Sequence, residues 1–358
     1  MMAEPTDEQH LADVRADLAG ARPVVAAGPG PDPAALRRAY LDLLKLSVCD
    51  LAGTSTGSVG ALDDGRVMSR ELRGDAVRLR SAGMDWPLQG LTMIGLRRLD
   101  DLQACVEQVV ADGVAGDVIE AGAWRGGASL VARATLTTLG DTRTVCVADS
   151  FQGFPAEEDD ADARRLSAFD FLAAPVEDVR ASFARHGLDR GVEFIAGFFE
   201  ETLPALAGRQ WSIIRLDGDT YEATRLALTC LYPGLAVGGH LILDDYGSFE
   251  GCRRAVDEFR LAHGIEDPLV KVDATGARWR RSAAADVEPG STVPEPRAVR
   301  AVARMRQPDV PTARELALAD ELAAARVALS AATAERDRLA SAPWRGPRAW
   351  LRARRRAR

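Results

Sequence analysis

Two stretches of this chain place carboxylates where a hard cation could be held: RLDGD, which carries Asp217 and Asp219, and LILDDYG, which carries Asp244 and Asp245. Each follows an apolar run of strand length, so each set of acids falls at the carboxyl end of a strand. In open α/β sheets, ligands bind outside those ends. Three or four carboxylates at one mouth repel one another unless a cation offsets them. A set of oxygen ligands suits Mg2+, which keeps positions open for water or substrate oxygens. Any one of these aspartates could equally cap a helix; their convergence is what points to a metal.

A second pattern lies upstream. The run GDVIEAGA ends in Glu120-Ala-Gly122, followed by Arg125-Gly126-Gly127 and a helical stretch. The glycines let a backbone approach a ligand closely while a carboxylate engages it, although glycines at such a turn can also be simple turn formers. The next strand ends in Asp149, placed to grip vicinal ribose hydroxyls. Together these features favour an adenosine-type cofactor. The spacing does not match the G-x-G-x-x-G dinucleotide fingerprint, which argues against a nicotinamide enzyme.

The elements that would position these groups can be read from the same sequence. Apolar runs at 116–123, 142–150, 191–197, 211–219 and 238–246 alternate with helix-length segments, the pattern of a doubly wound parallel sheet covered on both faces. LVKVD (269–273) and ARWRR (277–281) form a closing hairpin. Upstream, one helix starts near Pro33, with Leu41, Leu44, Val48 and Leu51 on one face, and another starts near residue 99. Residues 1–35 are expected to be a disordered arm and 36–285 the globular domain. Residues 286–311 form a Pro-rich linker, 312–340 a coiled-coil helix seamed by Leu318, Leu322, Leu329 and Leu339, and 341–358 an Arg-rich tail.

Composition narrows the function. The net charge of −8 argues against a protein that coats nucleic acid, and five scattered cysteines with four histidines argue against a zinc site. No apolar run approaches the ~18 residues of a membrane span, and the acidic N-terminus has no signal-peptide core, so a cytoplasmic location is expected. The average charge hides an uneven distribution. Only Lys45 and Lys271 are lysine, and seven arginines with no acid follow Trp344. That tail could place the protein at an anionic inner-membrane face or against an acidic protein partner.

The motifs EAGAWRGG (120–127), ADSFQGFP (148–155), GFFEETLP (197–204), RLDGDTYEAT (215–224) and ILDDYGSFEGCRRAVDEF (242–259) resemble the macrocin O-methyltransferase family. YLDLLKLSVCDL (40–51) and DWPLQGLTMIGLRRLDDLQ (85–103) resemble its N-terminal helices, so the likeness runs from about 36 to 282. The resemblance implies a Rossmann-like class I methyltransferase sheet with an N-terminal helical lid. It implies S-adenosylmethionine and Mg2+ as cofactors and a sugar hydroxyl as the methylated group. Carried over by position, Asp217, Asp244 and Asp245 would hold the metal. Glu120, Gly122, Arg125, Gly126 and Asp149 would hold the cofactor, with Thr92 and Met93 closing over it and Ser150 and Phe198 nearby. Asp217, between cofactor and metal, is the candidate general base, ahead of His186 and His240. Trp86, Trp124, Tyr221 and Tyr246 are candidates for the sugar site, Tyr246 first.

The ending ERDRLASAPWRGPRAWLR is similar to the coil and tail of bacterial glycosyltransferases and glycan-modifying proteins, which extends the expected acceptor from a glycosylated natural product to a bacterial glycan. Competing readings are a catechol-like phenol O-methyltransferase and a non-catalytic scaffold for glycan assembly. A homo-oligomer is expected.

Overall fold

The computed structural model describes residues 32–53, 55–61, 67–72, 77–155, 166–167 and 169–283. The chain divides into two compact units, Met1–Val293 and Pro294–Arg358, and every described residue belongs to the first. The expected coiled coil and Arg-rich tail, nearly all of the N-terminal arm, and the linker lie outside the described residues.

Helix α1 (Pro33–Val48) begins where Asp32 accepts a hydrogen bond from the Ala34 amide, and Pro33 takes a first-turn position that needs no N–H donor. The expected domain start at residue 36 therefore falls inside this helix. α1 buries Leu41, Leu44 and Val48. Strands β1 (Thr56–Ala61) and β2 (Val67–Leu72) then pair antiparallel, helix α2 (Val77–Ser81) follows, and β3 (Trp86–Pro87) pairs with the other edge of β1. The N-terminal lid is thus partly a three-stranded sheet, which corrects the wholly helical expectation. TGSVGA has no helical apolar period, and Pro87 suits the short edge strand it occupies.

This small sheet is tied down by a fully buried guanidinium. Arg80 of α2 donates to both carboxylate oxygens of Asp85 (2.9 and 2.8 Å), to Thr56 Oγ1 (2.8 Å), and to the carbonyls of Gly57 (2.8 Å) and Cys49 (3.0 Å). A buried arginine is tolerable only when its donors are met in this way.

Helix α3 (Gly95–Ala111) leads into the main sheet. In chain order come β4 (Asp117–Ala121), α4 (Gly127–Leu139), β5 (Val145–Asp149), α5 (Val176–Arg185), β6 (Val192–Ala196), α6 (Phe199–Thr202), β7 (Trp211–Leu216), α7 (Tyr221–Leu231), β8 (Leu235–Leu243), α8 (Glu250–Ala262), β9 (Val270–Lys271) and β10 (Ala277–Arg280). The seven strands lie in the order β6-β5-β4-β7-β8-β10-β9. β4 to β8 run parallel, and the β9–β10 hairpin closes the β8 edge antiparallel, as its sequence predicted.

Side-chain alternation splits the core in two. Val118, Val145, Val147, Ile213 and Ile242 pack toward α1, α3, α4 and α5, while Ile119, Cys146, Ile214, Leu241 and Leu243 pack toward α7 and α8. The same period places Glu120, Arg215 and Asp244 on the first face, at adjacent strand ends. Glu120 stands opposite Arg215 in the β4–β7 register.

Candidate active site

The β4–α4 turn is shaped by Asp149 at the end of β5. Its Oδ2 accepts from the amides of Ala123 and Trp124 (both 2.8 Å), and its Oδ1 from the Phe151 amide (2.7 Å). Burial raises the Asp149 pKa against those three hydrogen bonds. The turn needs unusual backbone: Gly122 and Gly126 have φ of 94° and 79°, and Trp124 between them sits at 48°. A Cβ on Gly122 would fall 1.8 Å from the Asp217 carbonyl oxygen, so glycine is what lets β4 and β7 close together here.

Around this turn lies a first cleft. Gly122, Asp149, Ser150, Phe198, Met93 and Asp217 are among its lining residues. Six of the expected site residues are therefore together. Ser150 also donates to the Gly153 carbonyl (2.7 Å), which orders the loop after β5. Arg125 and Gly126 do not line this cleft. Arg125 stacks on Trp124 and donates to the carbonyls of Leu88 and Gly90 (both 3.0 Å), and so pins the lid segment to the turn. The Gly127 amide donates to the Leu91 carbonyl (2.9 Å), and a Cβ on Gly127 would lie 2.6 Å from that oxygen. The glycine admits the lid segment. The same contact fixes Thr92 beside the turn, with Met93 next along the chain.

The second cleft lies under the small sheet. Ser58, Trp86, Thr92, Arg98, Phe249 and the acids Asp217, Asp219, Asp244 and Asp245 line it, among others. Met93, Trp124, Leu172, Asp217 and Asp219 border both clefts. Trp86 packs on Phe171 (ring centroids 4.9 Å apart) and edge-on to Phe169 (5.3 Å), giving this cleft one aromatic wall. Asp219 adopts a left-handed conformation (φ 57°), an arrangement that costs about 1–3 kcal/mol and that clusters at functional sites.

Ligand oxygens of Asp217, Asp244 and Asp245 lie within 4.8 Å of one another. Asp245 Oδ2 is buried without a hydrogen-bond partner. Burial first, then Asp219, Asp217 and Asp244, push the Asp245 pKa well up. Burial and Asp217 raise Asp244 to about 6, against Arg215 and Arg98. An orphaned carboxylate oxygen among further carboxylates is a donor set that a divalent cation fits.

Arginines that the sequence reading passed over share this mouth. Arg215 donates to Glu120 Oε1 (2.6 Å), Asp217 Oδ2 (2.8 Å) and Asp244 Oδ1 (2.5 Å). Arg98 of α3 donates to Asp244 Oδ2. The signal for Arg215 was available: a charge inside the apolar strand WSIIRL must be paired. Glu120, expected to touch the cofactor, spends its oxygens on Arg215 and on the amide and hydroxyl of Ser129, and burial raises its pKa to about 7.

Other candidates fall elsewhere. Tyr246 and Tyr221 line neither cleft; their hydroxyls donate to Asp257 (2.8 Å) and Glu258 (2.6 Å) of α8. His186 closes α5, its Nδ1 2.7 Å from the Ser182 carbonyl, and His240 is a buried residue within β8, its Nε2 3.1 Å from Gln108 Oε1. Trp86 and Trp124 do reach the second cleft.

Known proteins resemble this chain in sequence and fold. The macrocin-O-methyltransferase (TylF) family model matches residues 61–281. The 8-demethyl-8-(2,3-dimethoxy-alpha-L-rhamnosyl)-tetracenomycin-C 4'-O-methyltransferase of Streptomyces olivaceus is 49% identical over 212 residues, covering 57% of this chain and 81% of that protein. The mycinamicin III 3''-O-methyltransferase of Micromonospora griseorubida is 41% identical over 253 residues, 68% of this chain and 96% of that protein. The solved structure of the O-methyltransferase NovP superposes with a TM-score of 0.60 at 38% identity, covering 69% of this chain and all of that one. The chain belongs to the macrocin O-methyltransferase family and is an S-adenosylmethionine-dependent O-methyltransferase.

Proposed function

We propose that the enzyme methylates a hydroxyl of a sugar carried by a natural product or a bacterial glycan, with Mg2+ held by Asp217, Asp244 and Asp245. One observation carries this reading: the two clefts share a wall at Asp217, so a donor in the first and an acceptor in the second would meet at the acidic mouth. The relatives support the acceptor class, since by name one acts at a 4' position of a rhamnosyl tetracenomycin and another at a 3'' position of mycinamicin III.

S-Adenosylmethionine, when bound, supplies a methyl group on a sulfonium, and Mg2+, when bound, supplies Lewis-acid polarisation of a hydroxyl. The chain's own groups do the rest. Asp149 would hold the ribose, and Gly122, Met93, Ser150 and Phe198, which line the same cleft, would surround the rest of the donor. Thr92 and Met93 close the lid segment over the mouth. Arg125 and Gly126 shape the turn, and Glu120 acts through Arg215. Asp217 would receive the proton from the acceptor hydroxyl, with Arg215 holding its Oδ2. Trp86 offers a flat apolar face to the sugar or to what it is attached to.

The test is methyl transfer from labelled S-adenosylmethionine to a rhamnosyl glycoside and to a catechol, each with Mg2+ and with EDTA. The proposal expects transfer to the glycoside that EDTA removes. Preference for the catechol overturns the acceptor class, and full activity in EDTA overturns the metal.

A further inference from the structure

We propose that Arg98 is a positioning residue that competes with the divalent cation for Asp244 and so sets how tightly the cation is held. The inference rests on the reading of Asp217, Asp244 and Asp245 as the cation's ligands.

Both oxygens of Asp244 are engaged, but by arginines in different situations. Arg215 reaches Oδ1 from within the sheet, with its side chain 3% exposed and bonded to Glu120 and Asp217 as well. It has no room to leave. Arg98 reaches Oδ2 from α3 and lines the second cleft. Its Nε also lies 3.1 Å from Asp273 Oδ2, in charge contact without hydrogen-bond alignment, and its Nη2 donates to the Gly83 carbonyl (3.3 Å). Arg98 therefore has a second carboxylate at hand when a cation takes Asp244 Oδ2, and the exchange leaves neither charge buried alone. Its carboxylate, Asp273, is itself fixed by the Thr275 and Gly276 amides (2.9 and 2.7 Å) in the turn before β10.

Two consequences follow. A guanidinium this close to the three aspartates opposes a second cation, so its charge weakens cation binding. Arg98 also links the cation's ligand to the Gly83 carbonyl, in the segment that runs into β3 and Trp86, so its geometry bears on the acceptor wall.

The experiment is isothermal titration of Mg2+ and Mn2+ into the full chain, wild type and variants, with acceptor KM and kcat measured alongside. Arg98→Gln keeps a hydrogen-bond donor and removes the charge; it should tighten cation binding by about tenfold. Arg98→Lys keeps the charge and should leave cation affinity within about twofold. It should raise the acceptor KM severalfold with kcat little changed, because a single ammonium cannot serve Asp244, Asp273 and Gly83 together. An unchanged or weaker affinity in Arg98→Gln overturns the competition, as does an altered affinity in Arg98→Lys, which serves alone if the glutamine variant does not fold. A wild-type protein that binds neither ion overturns the metal reading itself, a result separable from the other two.

Discussion

Asp217 is where the two clefts and the acidic trio meet, and Arg215 holds one of its oxygens. Asp217→Asn should lower kcat by about 10³-fold or more, while titration calorimetry finds S-adenosylmethionine binding within about threefold of wild type. Glu120 makes the contrasting case. Its two oxygens accept from Arg215 and from the amide and hydroxyl of Ser129, so Glu120→Gln should cost about 1–3 kcal/mol of stability even without cofactor, because the carboxamide nitrogen leaves a buried donor unmet. Denaturant unfolding of the apo protein reads this directly; an unchanged midpoint would mean that the carboxylate serves the ligand alone.

At the level of elements, the strand ends were legible because a parallel strand buried on both faces is an unbroken apolar run, and the acid that ends it stands out. Asp149, Asp217, Asp244 and Asp245 were found that way. The small sheet was not legible: β1 and β2 are short, and β1 is glycine-bearing and held at Thr56 and Gly57 by long-range Arg80 contacts, which no local period announces. Nor were Arg98 and Arg215, whose meaning depends on which strands are neighbours. The glycines were legible as close-approach positions, but what approaches Gly127 is the chain itself. Gly127→Ala should therefore push the Leu91–Thr92 backbone away and weaken S-adenosylmethionine binding by about tenfold, with a stability loss of about 1–3 kcal/mol. Calorimetry and thermal unfolding of one variant separate the two effects.

For the molecule as a whole, buried titratable groups set how stability varies with pH. His240 has its pKa lowered to about 4 by burial, then by Arg278 and Arg280, so it stays neutral in the fold while the unfolded chain protonates near 6.5. Its contribution is present above pH 6.5 and is lost as pH falls toward 4. Glu120 acts in the opposite sense: its raised pKa favours the fold at low pH, and that contribution is lost as pH rises from about 4.5 to about 7. Because the two oppose each other, the wild-type profile alone is ambiguous. Urea unfolding of wild type and His240→Gln between pH 8 and pH 5 should give parallel curves above pH 7 and a steeper acid loss for wild type below 6.5. Parallel curves throughout would remove His240 from the account. Among the described residues no helix is long and apolar enough to cross a membrane.

The small sheet shares no hydrogen-bonded strand with the large one, so its backbone pairing does not depend on the parallel ladder. Substitutions there should reshape the wall of the second cleft without disturbing that ladder. Most of its anchor is portable. The side chains that Arg80 hydrogen-bonds, Thr56 and Asp85, travel within residues 56–87; outside that interval it meets the Cys49 carbonyl and, at 4.0 Å, the Asp50 carboxylate, which also accepts from Thr56. Exchanging 56–87 for the matching stretch of the tetracenomycin or mycinamicin relative should shift acceptor preference toward that relative's glycoside while S-adenosylmethionine affinity stays within about threefold. Competition assays with paired acceptors would read the transfer of specificity.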